Sequence, residues 1–162
     1  MQPELVLPNP NRIDLDEAYL QMAEVWAKRS KANRLQVGAL VVVGNQIISD
    51  GYNGMPSGWP EDACETRAED GALVTKPELL HAESNALTKI ARLGHGRADG
   101  GTLYTTDSPC PECAKLAKQC GIKRVVFRRQ YRLTNGLDML RTLGIAVDQL
   151  VPAAECGRAP HP

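Results

Sequence analysis

Two short segments limit what this chain can fold into more than any other feature: His81-Ala82-Glu83 and Pro109-Cys110-Pro111-Glu112-Cys113. Cys110 and Cys113 are three apart, so on the first turn of a helix both sulfurs reach one point. His81 and Glu83 are two apart, so their side chains leave in different directions and can address one point from two sides. A fold that uses both segments must bring the starts of two helices together.

Taken alone, the Cys-x-x-Cys pair is open to a redox role, a closed structural zinc site, or chance. A closed structural site calls for a second such pair, and Cys64, Cys120 and Cys156 are isolated. A redox pair has no need of His81 and Glu83. A zinc ion that does chemistry takes three protein ligands and keeps one position open for water. His81, Cys110 and Cys113 supply one nitrogen and two sulfurs. Glu83 is then the proton carrier beside that water and not a ligand. The partial positive charge of a helix N-terminus favours thiolates at Cys110 and Cys113. One catalytic zinc per chain is therefore expected.

Composition narrows the setting. The 162 residues are 43% hydrophobic and 23% charged, which suits one globular domain spanning 1–162. Lys plus Arg is 19 and Asp plus Glu is 19. Zero net charge speaks against a nucleic-acid polymer as partner, and leaves room for a small anion held by local cations. The five cysteines are odd in number and do not suggest a disulfide framework. No apolar stretch is long enough to span a bilayer, and the first ten residues do not read as a signal peptide, so a cytoplasmic protein without membrane contact is expected.

Periodicity predicts the elements. Residues 1–12 read as an irregular arm. Asp14 caps a helix over 15–31, whose basic end (Lys28, Arg29, Lys31, Arg34) is either a solvated terminus or a phosphate contact. Strands are predicted over 37–43 and 46–49, joined by a tight Gly44-Asn45 turn. Residues 50–77 read as a long, functional loop. Helices follow over 78–93, 110–119 and 136–143, interleaved with strands over 102–106, 123–127 and 145–151, and the tail from 152 reads as loose. The expected architecture is α/β: three layers, α/β/α, around a mixed sheet of about five strands.

The ordered pair His-x-Glu and Pro-Cys-x-x-Cys is a known signature of zinc deaminases. Over residues 14–151 the chain resembles the cytidine deaminase superfamily and, within it, the deoxycytidylate deaminases. The likeness is carried by VGALVV at 37–42, GYNGMPSG at 51–58, HAESNAL at 81–87, TLYTTDSPCPEC at 102–113 and GIKRVVF at 121–127. The zinc motifs specify the superfamily, and the GYNG segment points to the deoxycytidylate branch. Free-nucleoside cytidine deaminases usually carry Cys at the position of His81. The tRNA adenosine deaminases share His-Ala-Glu, resemble this chain less at 51–58, and need a basic surface. Riboflavin-pathway and guanine deaminases are more distant alternatives. An enzyme acting on dCTP and a non-catalytic, zinc-containing nucleotide-binding module also stay open; Glu83 argues against the module.

The resemblance implies a cytidine-deaminase-like fold and the hydrolysis of the exocyclic C–N bond of dCMP to give dUMP and ammonia, supplying thymidylate synthesis. It implies a homo-oligomer, often a hexamer, activated by dCTP (with Mg2+) and inhibited by dTTP. Residue by residue, His81, Cys110 and Cys113 hold zinc and Glu83 moves protons. Asn53 hydrogen-bonds the deoxyribose or the surroundings of the reacting water, with turn formation as its plainer use. Arg92 meets the nucleotide phosphate, and Tyr131 covers base or sugar. Gly51, Tyr52, Asn53 and Gly54 touch an effector. Asp107 departs from the family pattern, placing a polar group beside the zinc loop with consequences for substrate preference. The stretch between Asn53 and His81 is shorter than in some relatives, which puts a second, structural zinc there in doubt.

Overall fold

The computed structural model describes residues 9, 11–94 and 96–152. His95, Cys156 and His161, most of the arm and the tail beyond 152 lie outside them.

Helix α1 (Leu15–Ala27) precedes a hairpin of β1 (Gly38–Val43) and β2 (Gln46–Tyr52). Gly44 and Asn45 both take positive φ, 55° and 62°, as the tight turn requires. A second, small hairpin follows, β3 (Glu65–Arg67) and β4 (Leu73–Thr75), and then α2 (Ala82–Leu93). The rest alternates: β5 (Thr102–Asp107), α3 (Pro111–Gln119), β6 (Arg124–Arg129), α4 (Asn135–Thr142) and β7 (Ala146–Gln149). The main sheet has five strands in the order β2-β1-β5-β6-β7. The β1 pairings are antiparallel and those of β5 with β6 and β6 with β7 are parallel, so the sheet is mixed.

Strand alternation builds the three layers. Ala39, Val41, Leu103, Val125 and Phe127 face α2, α3 and α4 in the larger core. Their neighbours Leu40, Val42, Tyr104 and Val126 face Tyr19, Leu20 and Ala23 of α1 in the smaller one. Gly51 lets β2 meet α2 closely: a Cβ there would stand 2.3 Å from the Ala82 carbonyl oxygen.

Three expectations on element limits are corrected. Helix α1 stops at Ala27, because Ser30 turns inward, donating its hydroxyl to the Asn53 carbonyl and accepting from the Ala32 N–H. The loop 50–77 carries the β3–β4 hairpin, turned at Gly71. Helix α2 begins at Ala82 and not at 78, because Leu80 exchanges backbone hydrogen bonds with Gly54.

A charged seam joins α1 to β6. The Arg128 side chain is 4% exposed and donates to Glu17 and Glu24; Arg124 pairs with Asp16 and Asp148. Arg124 and Arg128 hold the Asp16 and Glu17 carboxyls below their ordinary range. A carboxylate held low stabilises the fold above its unfolded pKa, and that contribution fades as pH falls through the folded value. Arg128→Met is expected to remove about 3 kcal/mol at pH 7, roughly 6–12 °C in Tm at this chain length. The difference from the parent protein should shrink in acid, as pH falls through the lowered value of Glu17 beneath the ordinary carboxylate range. Thermal melts across this pH range check both.

Candidate active and metal site

The site lies where strand ends converge. In a sheet with parallel strands, ligands sit beyond the carboxyl ends. Here β5 and β6 end side by side, with Asp107 opposite Arg129. The antiparallel β1 starts at that same end, so Val37 stands nearby.

Two helix starts then meet. His81 is the N-cap residue of α2, with extended φ and ψ of −75° and 154°. Cys110 is the N-cap residue of α3, and its sulfur accepts from the Cys113 N–H at 3.5 Å. His81 Nδ1 lies 3.4 Å from Cys110 Sγ and 3.5 Å from Cys113 Sγ. The three donor atoms all lie within 4.8 Å of one another. One neutral imidazole nitrogen and two sulfurs form the donor set of a catalytic zinc site, so these residues fit the metal that the sequence calls for. Gly136 of α4 fits against the backbone of this loop; a Cβ there would stand 1.9 Å from the Pro109 carbonyl oxygen.

The electrostatics agree with metal binding. In the metal-free chain, hydrogen bonds from the Cys113 thiol, His81 and the Cys113 backbone keep the Cys110 thiol down at about 4, against the cost of burial. Cys113 is pushed up by the neighbouring Cys110 sulfur and by burial. The pair thus offers one ready thiolate, and His81 is raised by its contact with Cys110. Glu83, on the first turn of α2, is 4% exposed. Burial pushes its carboxyl up to about 7, with Cys110 and Asp107 adding and His81 opposing.

A cavity of about 720 Å³ opens onto this site. His81, Glu83 and Cys110 are on its wall, with Asn53, Asp107 and Tyr131. Asn53 is buried, and its side chain is committed to scaffold: Oδ1 accepts from the Val37 N–H and Nδ2 donates to the Leu35 carbonyl, both at 2.8 Å. Tyr131 donates its backbone N–H to Ser108 Oγ, and the Arg132 guanidinium stands 5.9 Å above its ring. Gly51 packs on α2, the Tyr52 carbonyl accepts from Asn85, and Gly54 pairs with Leu80 just before His81. The GYNG segment therefore anchors both the 35–37 wall and the His81 approach. Arg92 is not brought in: it is exposed on the last turn of α2, about 16 Å along the helix from His81.

Three cations line the cavity: Arg34, Arg129 and Arg132. Arg34 belongs to the basic cluster whose phosphate role the sequence left open. The apolar run predicts a strand ending at 127, whereas β6 continues to Arg129, so nothing in the sequence pattern points to Arg129 and Arg132. Cys64 is buried with its thiol toward the Asp62 carbonyl, and Cys120 packs partly buried against the larger core.

Residues 13–129 match the family described as the cytidine and deoxycytidylate deaminase zinc-binding region. The chain belongs to this family. A deoxycytidylate deaminase of Enterobacteria phage T4 is 33% identical, over 79% of this chain and 86% of its own length. A deoxycytidylate deaminase of Schizosaccharomyces pombe is 32% identical over 92% of this chain, which spans only 48% of that relative. A crystal structure of dCMP deaminase from the cyanophage S-TIM5, in complex with dCMP and dUMP, superposes with a TM-score of 0.77 and 41% identity. It covers 89% of this chain and 100% of its own. These likenesses place the chain with the deoxycytidylate deaminases of the family, and its α/β fold is theirs.

The site makes a chemical prediction. In metal-free protein carrying Cys156→Ser, iodoacetamide at pH 6 should label Cys110 well before Cys64, Cys113 and Cys120, because only Cys110 is a thiolate there. Zinc should protect it. Peptide mapping reads the order; labelling of Cys113 first would contradict the assignment.

Proposed function

We propose that this deaminase converts dCMP to dUMP and ammonia, with zinc held by His81, Cys110 and Cys113. The observation that carries the reading is Glu83: a buried carboxyl held near 7, in the same cavity as His81 and Cys110 of the three-donor cluster. When bound, zinc supplies the Lewis acidity that makes water nucleophilic near neutral pH. A carboxyl with pKa near 7 both accepts and gives protons at that pH. Glu83 takes a proton from the water that adds at C4 of the ring and delivers it to N3. It then takes the remaining proton from the C4 hydroxyl and passes it to the amino group; the C4–N bond breaks, the C4 carbonyl forms and ammonia leaves. Tyr131 covers the base or sugar, Asn53 keeps the 35–37 wall in place against the sugar, and the arginines at the cavity supply charge for the 5′-phosphate. Arg92 contributes to phosphate binding only if an assembly brings it to the cavity of a neighbouring chain.

The family likeness supports further parts of the reading. The enzyme works in the cytoplasm, and no described helix is long and apolar enough to cross a membrane. It assembles as a homo-oligomer, a hexamer in this proposal. With Mg2+, dCTP activates it and dTTP inhibits it, touching Gly51, Tyr52, Asn53 and Gly54. Added Mg·dCTP should then shift the dCMP saturation curve to lower concentration, and an unchanged curve would remove the regulation.

Glu83→Gln tests the mechanism. It should retain one zinc per chain and lose about 10²–10⁴-fold in kcat on dCMP. Full turnover by the zinc-loaded variant would remove Glu83 from the proton path.

A further inference from the structure

Asp107 is a carboxylate in a cavity proposed to take an anionic substrate, and the mechanism gives it no task. Its side chain is 9% exposed. A buried carboxylate is costly unless paired, and a fold that sought only stability would place an apolar side chain there. Asp107 is instead fixed in place. Its Oδ2 accepts from Thr106 Oγ1 at 2.9 Å, and that hydroxyl accepts from the Gly38 N–H at 3.2 Å. The same Oδ2 accepts from Arg129 Nη2 at 2.9 Å, across the β5–β6 register pair.

Arg129 is the opposite kind of residue. Its side chain is 55% exposed. It lines the active cavity and also a second cavity beside it, which shares Arg34 and Leu35. A guanidinium carries five N–H donors in a rigid fork. Among the described residues only one of them has a protein partner, on Asp107. The others stand free at the junction of the two cavities. The remaining cations of the wall are held differently: Arg34 donates to the Thr75 hydroxyl, and Arg132 lies over the Tyr131 ring. Only Arg129 is tethered by charge to a carboxylate of the cavity itself. An untethered arginine must give up rotamer freedom to bind phosphate, whereas a tethered one has already done so.

We propose that Asp107 is a positioning residue that holds the Arg129 guanidinium at the cavity mouth, so that its free N–H groups receive the 5′-phosphate and select nucleotide over nucleoside. The proposal rests on the dCMP reading above. Its signature is the ratio of kcat/KM for dCMP to kcat/KM for deoxycytidine.

The test is a double-mutant cycle on zinc-loaded protein with Arg129→Ala, Asp107→Asn and the pair. Arg129 is exposed, so its variant should fold; zinc content and Tm check both. Arg129→Ala should lower the ratio at least tenfold, through KM for dCMP. Asp107→Asn should lower it severalfold when Arg129 is present and leave it unaltered when Arg129 is Ala. Equal effects of Asp107→Asn in both backgrounds would overturn the proposal, because Asp107 would then act without Arg129. A ratio that rises in Asp107→Asn would also overturn it, showing that the carboxylate merely competes with phosphate for Arg129. Failure of the parent enzyme to turn over dCMP would sink the substrate reading itself; normal turnover with unaltered ratios would sink only the tether.

Discussion

The structure depends on two helix N-termini meeting at one point. His81 opens α2 and Cys110 opens α3, and their donor atoms with Cys113 all lie within 4.8 Å of one another. Neither helix start is free to move. Helix α2 is set by close packing of Gly51 and by the Gly54–Leu80 pairing; the α3 start is set by β5 and by the close approach of Gly136. None of these contacts uses a metal-donating side-chain atom, and each fixes where a ligand stands. The metal site is thus a property of the sheet and its crossovers, in which three side chains arrive already converged.

The same convergence decides the proton chemistry. Placing Glu83 one residue beyond Ala82 on a helix start buries it beside sulfur and Asp107, which raises its proton affinity. A surface carboxylate would stay ionised at neutral pH and could not return the proton. The asymmetry between the sulfurs is also useful. Cys110 at the N-cap is the ready thiolate, and Cys113 gives up its proton as metal enters.

Local spacing made the chemistry legible in the sequence. His81, Glu83, Cys110 and Cys113 were readable because their partners lie within one turn of each pair, and a catalytic zinc needs those residue types. The layers were readable because 39–42 and 125–127 alternate between two cores. What escaped is set by contacts distant in sequence. The β3–β4 hairpin has only three residues in each strand, too few for alternation to announce it. The late start of α2 follows from a pairing with Gly54, far upstream. Asn53 reads as a sugar ligand by likeness, yet its side chain ties Leu35 and Val37. Arg129 carries no sequence signal, because the apolar run stops at Phe127 while the hydrogen-bonded strand runs on to Arg129. Arg92 reads as a phosphate ligand by likeness, and in the single chain it stands exposed on the last turn of α2, outside the cavity.

X-ray absorption at the zinc edge, on protein loaded with one zinc per chain, tests the central claim most directly. The account predicts two sulfur neighbours at about 2.3 Å and two lighter ones at about 2.0–2.1 Å, one from His81 and one from solvent. A shell of four sulfurs, or of nitrogen and oxygen alone, would contradict it.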